Sequence, residues 1–104
     1  MHEMDIYDLE FWLENYYPTT IVYDRHSGEY SGGKWTCWPV LPNGIPQDVY
    51  GDSISNMFFW NSFEKSVVGI GDTPQDAFED LHNKLKQVLE EVQKESVEVS
   101  RPPE

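Results

Sequence analysis

The fold of this 104-residue chain is decided by the stretch Gly71-Asp72-Thr73-Pro74-Gln75-Asp76-Ala77-Phe78. The Thr73 hydroxyl can accept a hydrogen bond from the backbone N–H of Asp76, and Pro74 suits the first helical position because no N–H partner is needed there. The carboxylate of Asp76 also favours the positive end of a helix. The stretch therefore predicts a helix that begins at Pro74.

Apolar residues at alternating spacings of three and four extend this helix. The pairs Asp80 with Lys84 and Glu90 with Lys94 lie four residues apart, where opposite charges attract each other on a helix surface. We expect the helix to end near Lys94 or Ser96, and 98–104 to form a flexible tail. The apolar stripe consists of Phe78, Leu81, Leu85, Val88, Leu89 and Val92.

A shorter helix is predicted from about Asp5 to Tyr16, where apolar residues recur with the helical period. Asp5 is a candidate N-cap, and Pro18 stops the helix. The apolar face of this helix consists of Ile6, Leu9, Leu13 and Tyr16, widened by Trp12.

Strand signals lie between the two helices. Residues 19–24 are rich in β-branched and aromatic types and precede a turn at His26-Ser27-Gly28. Residues 34–41 predict a second strand, in which Pro39 favours an edge position, a bulge or the strand end. The aromatic and apolar segments within 57–70 predict one long bent strand or a hairpin.

A further strand over 48–50 is weakly signalled, because the loop around it is rich in proline and glycine. Together the elements predict an α+β fold with a short N-terminal helix, a three- to four-stranded antiparallel sheet and a long C-terminal helix packed on one face. We expect a single compact domain over 1–97, since the chain is too short for a second core.

The charge of the chain disfavours some classes of function. There are 19 Asp and Glu against 7 Lys and Arg, a formal net charge of -12, which disfavours direct binding to nucleic acid because that binding depends on Lys and Arg. Residues 1–24 hold six carboxylates and no Lys or Arg. This segment is either a solvated surface that keeps the protein soluble or a face that steers it to a basic partner.

Cysteine use and hydropathy bear on the compartment. With Cys37 as its one cysteine, the chain forms neither an intramolecular disulfide nor a cysteine-based zinc site. The first residues lack the basic region and apolar core of a secretory signal, and no segment is apolar over the length of a bilayer. We therefore expect a cytoplasmic protein that does not bind membranes.

The motifs for catalysis or cofactor binding are incomplete. Gly69-Ile70-Gly71 lacks the third glycine or the lysine of phosphate-binding loops, so its glycines are interpreted as turn residues. Glu79 and His82 have the spacing of half a carboxylate-bridged metal site, and the other half is missing. The apolar neighbours of Cys37 indicate a buried structural thiol. We expect no enzymatic activity, no metal and no cofactor.

Large aromatic residues occur on both faces of the predicted strands. In a strand, Trp35 and Cys37 face one side while Thr36 and Trp38 face the other, and Trp60 lies in the next predicted strand. These side chains either form a core under the helices or leave a patch for a partner or a second copy of the chain.

Two segments form a recognisable pattern. One is an apolar strand that runs into a Leu-Pro-Asn-Gly turn, residues 35–44, and the other is a strand that ends in Gly-Asp-Thr before a helix, residues 69–81. Together they resemble the HicB-like antitoxin core. The resemblance implies a partly HicB-like sheet and helix that bind another protein, such as a basic RNase toxin. Residues 45–68, which separate the segments, predict an inserted hairpin.

These observations favour a small acidic inhibitor or adaptor, of phage or mobile-element type, that binds a basic surface of a nucleic-acid-handling protein. It would act as an antitoxin, or as an anti-defence protein that mimics nucleic acid with its carboxylates. The alternative is a homo-oligomeric structural or accessory module, for example a homodimer. The candidate partner-binding residues are Glu3, Asp5, Asp8, Glu10, Glu14, Trp35, Trp38 and Trp60.

Overall fold

A computed structural model describes residues 6–100 of the chain, with side-chain surroundings over 7–93. The candidate N-cap Asp5 and residues 101–104 lie outside the described residues. In chain order the elements are α1 (Ile6–Asn15), β1 (Thr20–Tyr23), β2 (Trp35–Trp38), α2 (Ser53–Ser62), β3 (Gly69–Gly71) and α3 (Pro74–Ser100). Short 3-10 turns cover Pro42–Gly44, Gln47–Tyr50 and Lys65–Val67. The predicted α+β class is confirmed.

The sheet of the described residues has three antiparallel strands in the order β1-β2-β3. Cys37 of the central strand lies between Ile21 on one side and Gly69 on the other. Pro39 follows the last residue of β2, so the strand-end alternative for this proline is the one observed. Of the predicted three to four strands, the described part of the chain contains three and no fourth.

The prediction of one long bent strand or a hairpin within 57–70 is wrong, because residues 57–62 belong to α2, Lys65–Val67 form a 3-10 turn, and the short strand β3 begins at Gly69. The Asp52 carboxylate caps this helix by accepting a hydrogen bond from the backbone N–H of Ser55 at 2.9 Å. This bond favours the charged form and lowers the pKa of Asp52. The weakly signalled strand over 48–50 is a 3-10 turn. The inserted hairpin predicted over 45–68 is therefore also wrong, because this segment is a helix with flanking 3-10 turns.

Both faces of the sheet are covered. On one face α1 and α3 pack over β2, and on the other face α2 and the turns before it do so. Cys37 and Trp38 lie in different clusters, which confirms the predicted alternation along β2. The first cluster consists of Leu9, Trp12, Cys37, Ala77, Leu81 and Leu85. The second consists of Trp38, Ile45, Val49, Trp60 and Val68.

The start of α3 is as predicted. The Thr73 hydroxyl accepts a hydrogen bond from the backbone N–H of Asp76 at 3.0 Å, and Asp80 pairs with Lys84 at 2.8 Å. The helix continues to Ser100, past the predicted end and through residues assigned to the tail. No proline or glycine interrupts residues 75–100, so nothing in the sequence ends the helix earlier.

Glycine in β3 allows α3 to approach the sheet closely. A Cβ atom on Gly69 would overlap the carbonyl oxygen of Ala77 in α3. The same contact region is held by Asp80, whose carboxylate accepts a hydrogen bond from the backbone N–H of Ile70 at 2.8 Å. The glycine at 69 therefore serves close packing between strand and helix, which replaces its interpretation as a turn residue.

Candidate functional site

The outward face of α1 combines aromatic rings with carboxylates. Leu9 and Trp12 are buried in the first cluster, so the opposite side of the helix faces solvent. Residues three or four apart share a helix face, and Tyr7 and Phe11 expose 78% and 53% of their surface. We define the α1 ridge as the four exposed residues Tyr7, Glu10, Phe11 and Glu14.

Three of the predicted partner-binding carboxylates lie on this helix. Asp8, Glu10 and Glu14 are all exposed, whereas Glu3 and Asp5 lie outside the described residues. Since residues 6–24 contain no Lys or Arg, this part of the chain supplies no cation of its own to neutralise the ridge.

The sixth N-terminal carboxylate, Asp24, has a structural role. It is buried and accepts hydrogen bonds from the Ser31 hydroxyl at 2.5 Å and from the backbone N–H of His26 at 2.7 Å. These bonds close the loop that joins β1 to β2. Asp24 is therefore not part of the acidic surface. A variant that removes its charge would destabilise this loop instead of testing a partner-binding surface.

The three predicted partner-binding tryptophans lie elsewhere in the fold. Trp38 and Trp60 are buried in the second cluster, with ring centroids 5.9 Å apart, and the indole N–H of Trp38 donates to the Thr36 hydroxyl at 2.8 Å. Trp35 is half-buried, with its ring 5.2 Å from that of Tyr23. Trp38 and Trp60 are thus core residues and present no ring to a partner.

The other residues considered for chemistry are Cys37, Glu79 and His82. Cys37 is fully buried, and desolvation raises the pKa of its thiol to about 12, which confirms the buried structural interpretation. Glu79 and His82 line one pocket together with Tyr16, and the ring of His82 lies 5.8 Å from that of Tyr16. Within the described part of the chain, no three His, Cys, Asp or Glu side chains are grouped so that they could hold a metal ion.

A groove lies beside the ridge, between α1 and the segment that follows β2. The indole N–H of Trp12 donates to the carbonyl of Pro18 at 3.0 Å and to the Thr19 hydroxyl at 2.9 Å, which fixes the chain exit under the helix. The groove has a volume of about 230 Å³. We call it the Phe11 groove, and it is lined by Asp8, Phe11, Trp12, Tyr17, Pro18, Pro39 and Val40.

The predicted partner-binding residues do not include the exposed aromatic rings near the carboxylates of α1. Tyr7 and Phe11 are four residues apart and lie off the apolar stripe of α1, and this spacing was the available signal. Tyr17 is 57% exposed, just past the end of the helix. Nothing in the sequence indicates that Tyr17 and Val40 line the same groove, because that arrangement depends on tertiary structure.

Comparison of the chain with protein-family models, with curated proteins and with solved structures finds no match. Among residues 6–100, no helix combines the length and apolar character needed to cross a bilayer.

Proposed function

We propose that this protein is a non-catalytic inhibitor or adaptor that binds a basic surface of a nucleic-acid-handling protein through α1. The observation that carries the proposal is the α1 ridge, where Glu10 and Glu14 are exposed next to two exposed aromatic rings. Carboxylates steer association with a basic partner, and aromatic rings supply contact area at the centre of an interface.

The partner is assigned to proteins that handle nucleic acid because their binding surfaces are basic. A surface that neutralises phosphates with Lys and Arg also attracts carboxylates. The net charge of -12 makes this chain a suitable competitor for such a surface. The resemblance to the HicB-like antitoxin core supports the antitoxin version of the proposal, and carboxylates in place of phosphates support the anti-defence version.

Affinity purification from the native host tests the proposal. The tagged wild-type chain is compared with a Glu10→Gln/Glu14→Gln variant, with Asp24 left intact because it is structural. The matched control is Glu90→Gln/Glu91→Gln, which changes the net charge equally on exposed positions of α3. We expect the wild type and the control to retain a basic partner that the ridge variant loses.

Two further measurements use the purified complex. Binding should weaken as salt rises from about 0.05 M to about 0.5 M, since screening shortens the range of exposed charges. The nucleic acid bound by the partner should compete with the acidic chain for the partner. A complex that is insensitive to salt and to the ridge variant would contradict the proposal.

A second candidate function is a homo-oligomeric module, and it rests on the edge of the sheet. The backbone N–H of Asp24 donates to the carbonyl of Lys34 at 2.8 Å, so in the antiparallel ladder the backbone groups of Ile21 and Tyr23 point away from β2. Both side chains are also partly exposed, at 39% and 50%. Such an edge can pair with a second copy of the chain.

A further inference from the structure

We infer that the outer edge of β1 binds an extended segment of the basic partner as an added strand of the sheet. This inference rests on the proposed function and adds the form of the contact. In the antiparallel ladder the backbone N–H and C=O groups of Ile21 and Tyr23 point away from β2. Among residues 6–100, no group bonds to these outward backbone atoms. The edge therefore offers its donors and acceptors to a further strand.

The opposite edge of the same sheet is closed by side chains of α3. In β3 the backbone of Ile70 points away from β2, and its N–H donates to the Asp80 carboxylate at 2.8 Å. The carbonyl of Val68, just before the strand, accepts a hydrogen bond from the Lys84 ammonium at 2.9 Å. Asp80 and Lys84 also pair with each other at 2.8 Å. The fold thus blocks an added strand at β3 and leaves the edge of β1 open.

The strand β1 lacks the features that protect an exposed edge from pairing. Protected edges carry lysine or proline, or contain a bulge. Residues 20–23 are Thr-Ile-Val-Tyr, with no charge and no proline, and each has one partner in β2, so this part of the ladder has no bulge. Ile21 and Tyr23 also expose 39% and 50% of their surface. Their side chains supply apolar contact area to a strand that pairs with the edge.

Charge decides between a second copy of this chain and a segment of the basic partner. Two copies would each bring a net charge of -12 to the shared edge, and like charges oppose that approach. A segment that carries Lys and Arg is attracted by the same field. Because side chains alternate between the faces of a strand, its apolar residues can contact Ile21 and Tyr23 while its basic residues lie on the other face. The occupant assigned to the edge is a strand in which apolar and basic residues alternate.

The open edge begins beside the α1 ridge. Phe11 belongs to the ridge, and it lines the Phe11 groove together with Tyr17 and Pro18, which shortly precede β1. The indole N–H of Trp12 donates to Pro18 and Thr19 and holds this connection against the helix. A partner strand that pairs with β1 therefore starts close to the surface that the proposed function assigns to the same partner.

Hydrogen exchange of the full chain, followed by NMR at each amide, tests the assignment. The probe is the peptide acetyl-Lys-Val-Lys-Val-Lys-Val-amide, and the matched acidic peptide has Glu in place of each Lys. In the free chain, Ile21 and Tyr23 should exchange faster than Val22, whose N–H lies within the ladder to β2. With the basic peptide at about ten times its Kd, exchange at Ile21 and Tyr23 should slow about tenfold. The acidic peptide should leave it unchanged.

Methylated peptides separate strand pairing from general attraction. Methyl groups on the backbone nitrogens of the valines remove the donors on one edge of the basic peptide, and methyl groups on those of the lysines remove the donors on the other edge. When the valine side chains lie opposite Ile21 and Tyr23, the valine nitrogens point to β1. The valine-methylated peptide should therefore bind about tenfold more weakly than the lysine-methylated peptide, which has the same charge and composition.

A substitution at position 21 tests the edge from the side of the protein. Ile21→Pro removes an N–H that points away from β2, so it removes no bond of the ladder. This variant should weaken binding of the basic peptide about tenfold, whereas Ile21→Val, which keeps the N–H, should weaken it less than about twofold. Thermal unfolding of both variants verifies the fold, and the comparison of methylated peptides uses the unaltered chain.

Several results would overturn the assignment. These are no saturable binding of the basic peptide, binding without protection of Ile21 and Tyr23, equal protection by the acidic peptide, or equal binding of the two methylated peptides. Protection of the same amides that rises with the concentration of the chain alone would assign the edge to a second copy and also overturn it. The proposed function would survive each result if Glu10→Gln/Glu14→Gln still lost the basic partner, so the two failures are distinguishable.

Discussion

The thiol of Cys37 links burial to the pH dependence of stability. In the folded protein its pKa is about 12, whereas a thiol in the unfolded chain titrates near about 8.5. Because the folded-state pKa is the higher one, the contribution of the thiol is fully present below about pH 8.5 and is lost as the pH rises through the folded-state value. We expect a loss of up to about 1.4 kcal/mol per pH unit from this group.

Urea unfolding of the wild type and of Cys37→Ala, repeated at intervals from neutral to alkaline pH, measures this effect. Tyrosine and lysine residues also titrate in this range, and the difference between the two proteins cancels their contribution. The stability advantage of the wild type should shrink with rising pH. A difference that is constant across the range would contradict a raised pKa.

A second prediction at this scale concerns Gly69. Because a methyl group there would overlap the backbone of Ala77, Gly69→Ala should lower the free energy of unfolding by about 3 kcal/mol, near the upper end for overpacking. Gly44→Ala is the control, since its methyl group would meet the Cβ atom of Val40 at 3.1 Å, a contact that a shift of a few tenths of an ångström relieves. If the two variants lost similar free energy of unfolding in urea, the close approach of α3 to Gly69 would not be what requires glycine there.

Among the elements, those with local signals could be predicted from the sequence and α2 could not. The start of α3 is encoded within four residues by Thr73, Pro74 and Asp76, and α1 by its apolar period. In α2 the aromatic residues favour strands, and the sequence around Asp52, the helix cap, does not distinguish a cap from a turn residue. The cap and the packing of the second cluster overrule that propensity.

The residues of the candidate site also fall into those whose placement the sequence predicts and those whose placement it does not. Exposure of Glu10 and Glu14 follows from the period of α1, which the sequence contains. The alternation along β2 indicates that Trp38 faces away from Cys37, but it does not reveal whether that second face is covered. The cover comes from α2 and from the turns over 42–50, and these contacts are non-local.

The cap of α3 provides a prediction at the scale of elements. Thr73→Ala removes the acceptor of the Asp76 N–H and should lower the free energy of unfolding by about 1 kcal/mol. Thr73→Ser keeps the hydroxyl and should retain most of that stability. Both variants are compared by urea unfolding with circular dichroism. An alanine variant as stable as the serine variant would show that Pro74 and Asp76 start the helix without the cap.

Across the whole molecule, several cations are engaged in holding the fold. Arg25 donates to the carbonyl of Tyr50 at 2.9 Å, Lys65 to that of Ser31 at 3.2 Å, and Lys84 to that of Val68 at 2.9 Å. Each of these bonds joins segments distant in sequence. These three cations therefore hold loops and the sheet together, and they lie outside residues 6–24, a segment that contains no Lys or Arg.

This distribution of charge predicts a monomer. Pairing of two β1 edges would bring together two chains that each carry a net charge of -12, and the tryptophans first considered for such an interface, Trp38 and Trp60, are buried. We expect sedimentation equilibrium to give the mass of a single chain at about 0.01 M salt and at about 0.15 M salt.

Sedimentation equilibrium at high salt tests more strictly whether two chains can pair. At about 1 M salt the repulsion between chains is largely removed, so an edge able to pair would do so there. The control is Ile21→Lys, which places a charge on the partly exposed edge of β1. A dimer at about 0.15 M salt that Ile21→Lys abolishes would favour the homo-oligomeric module over the binding of a basic partner. A monomer under all three conditions would favour the proposed binding of a basic partner through the α1 ridge over the homo-oligomeric module.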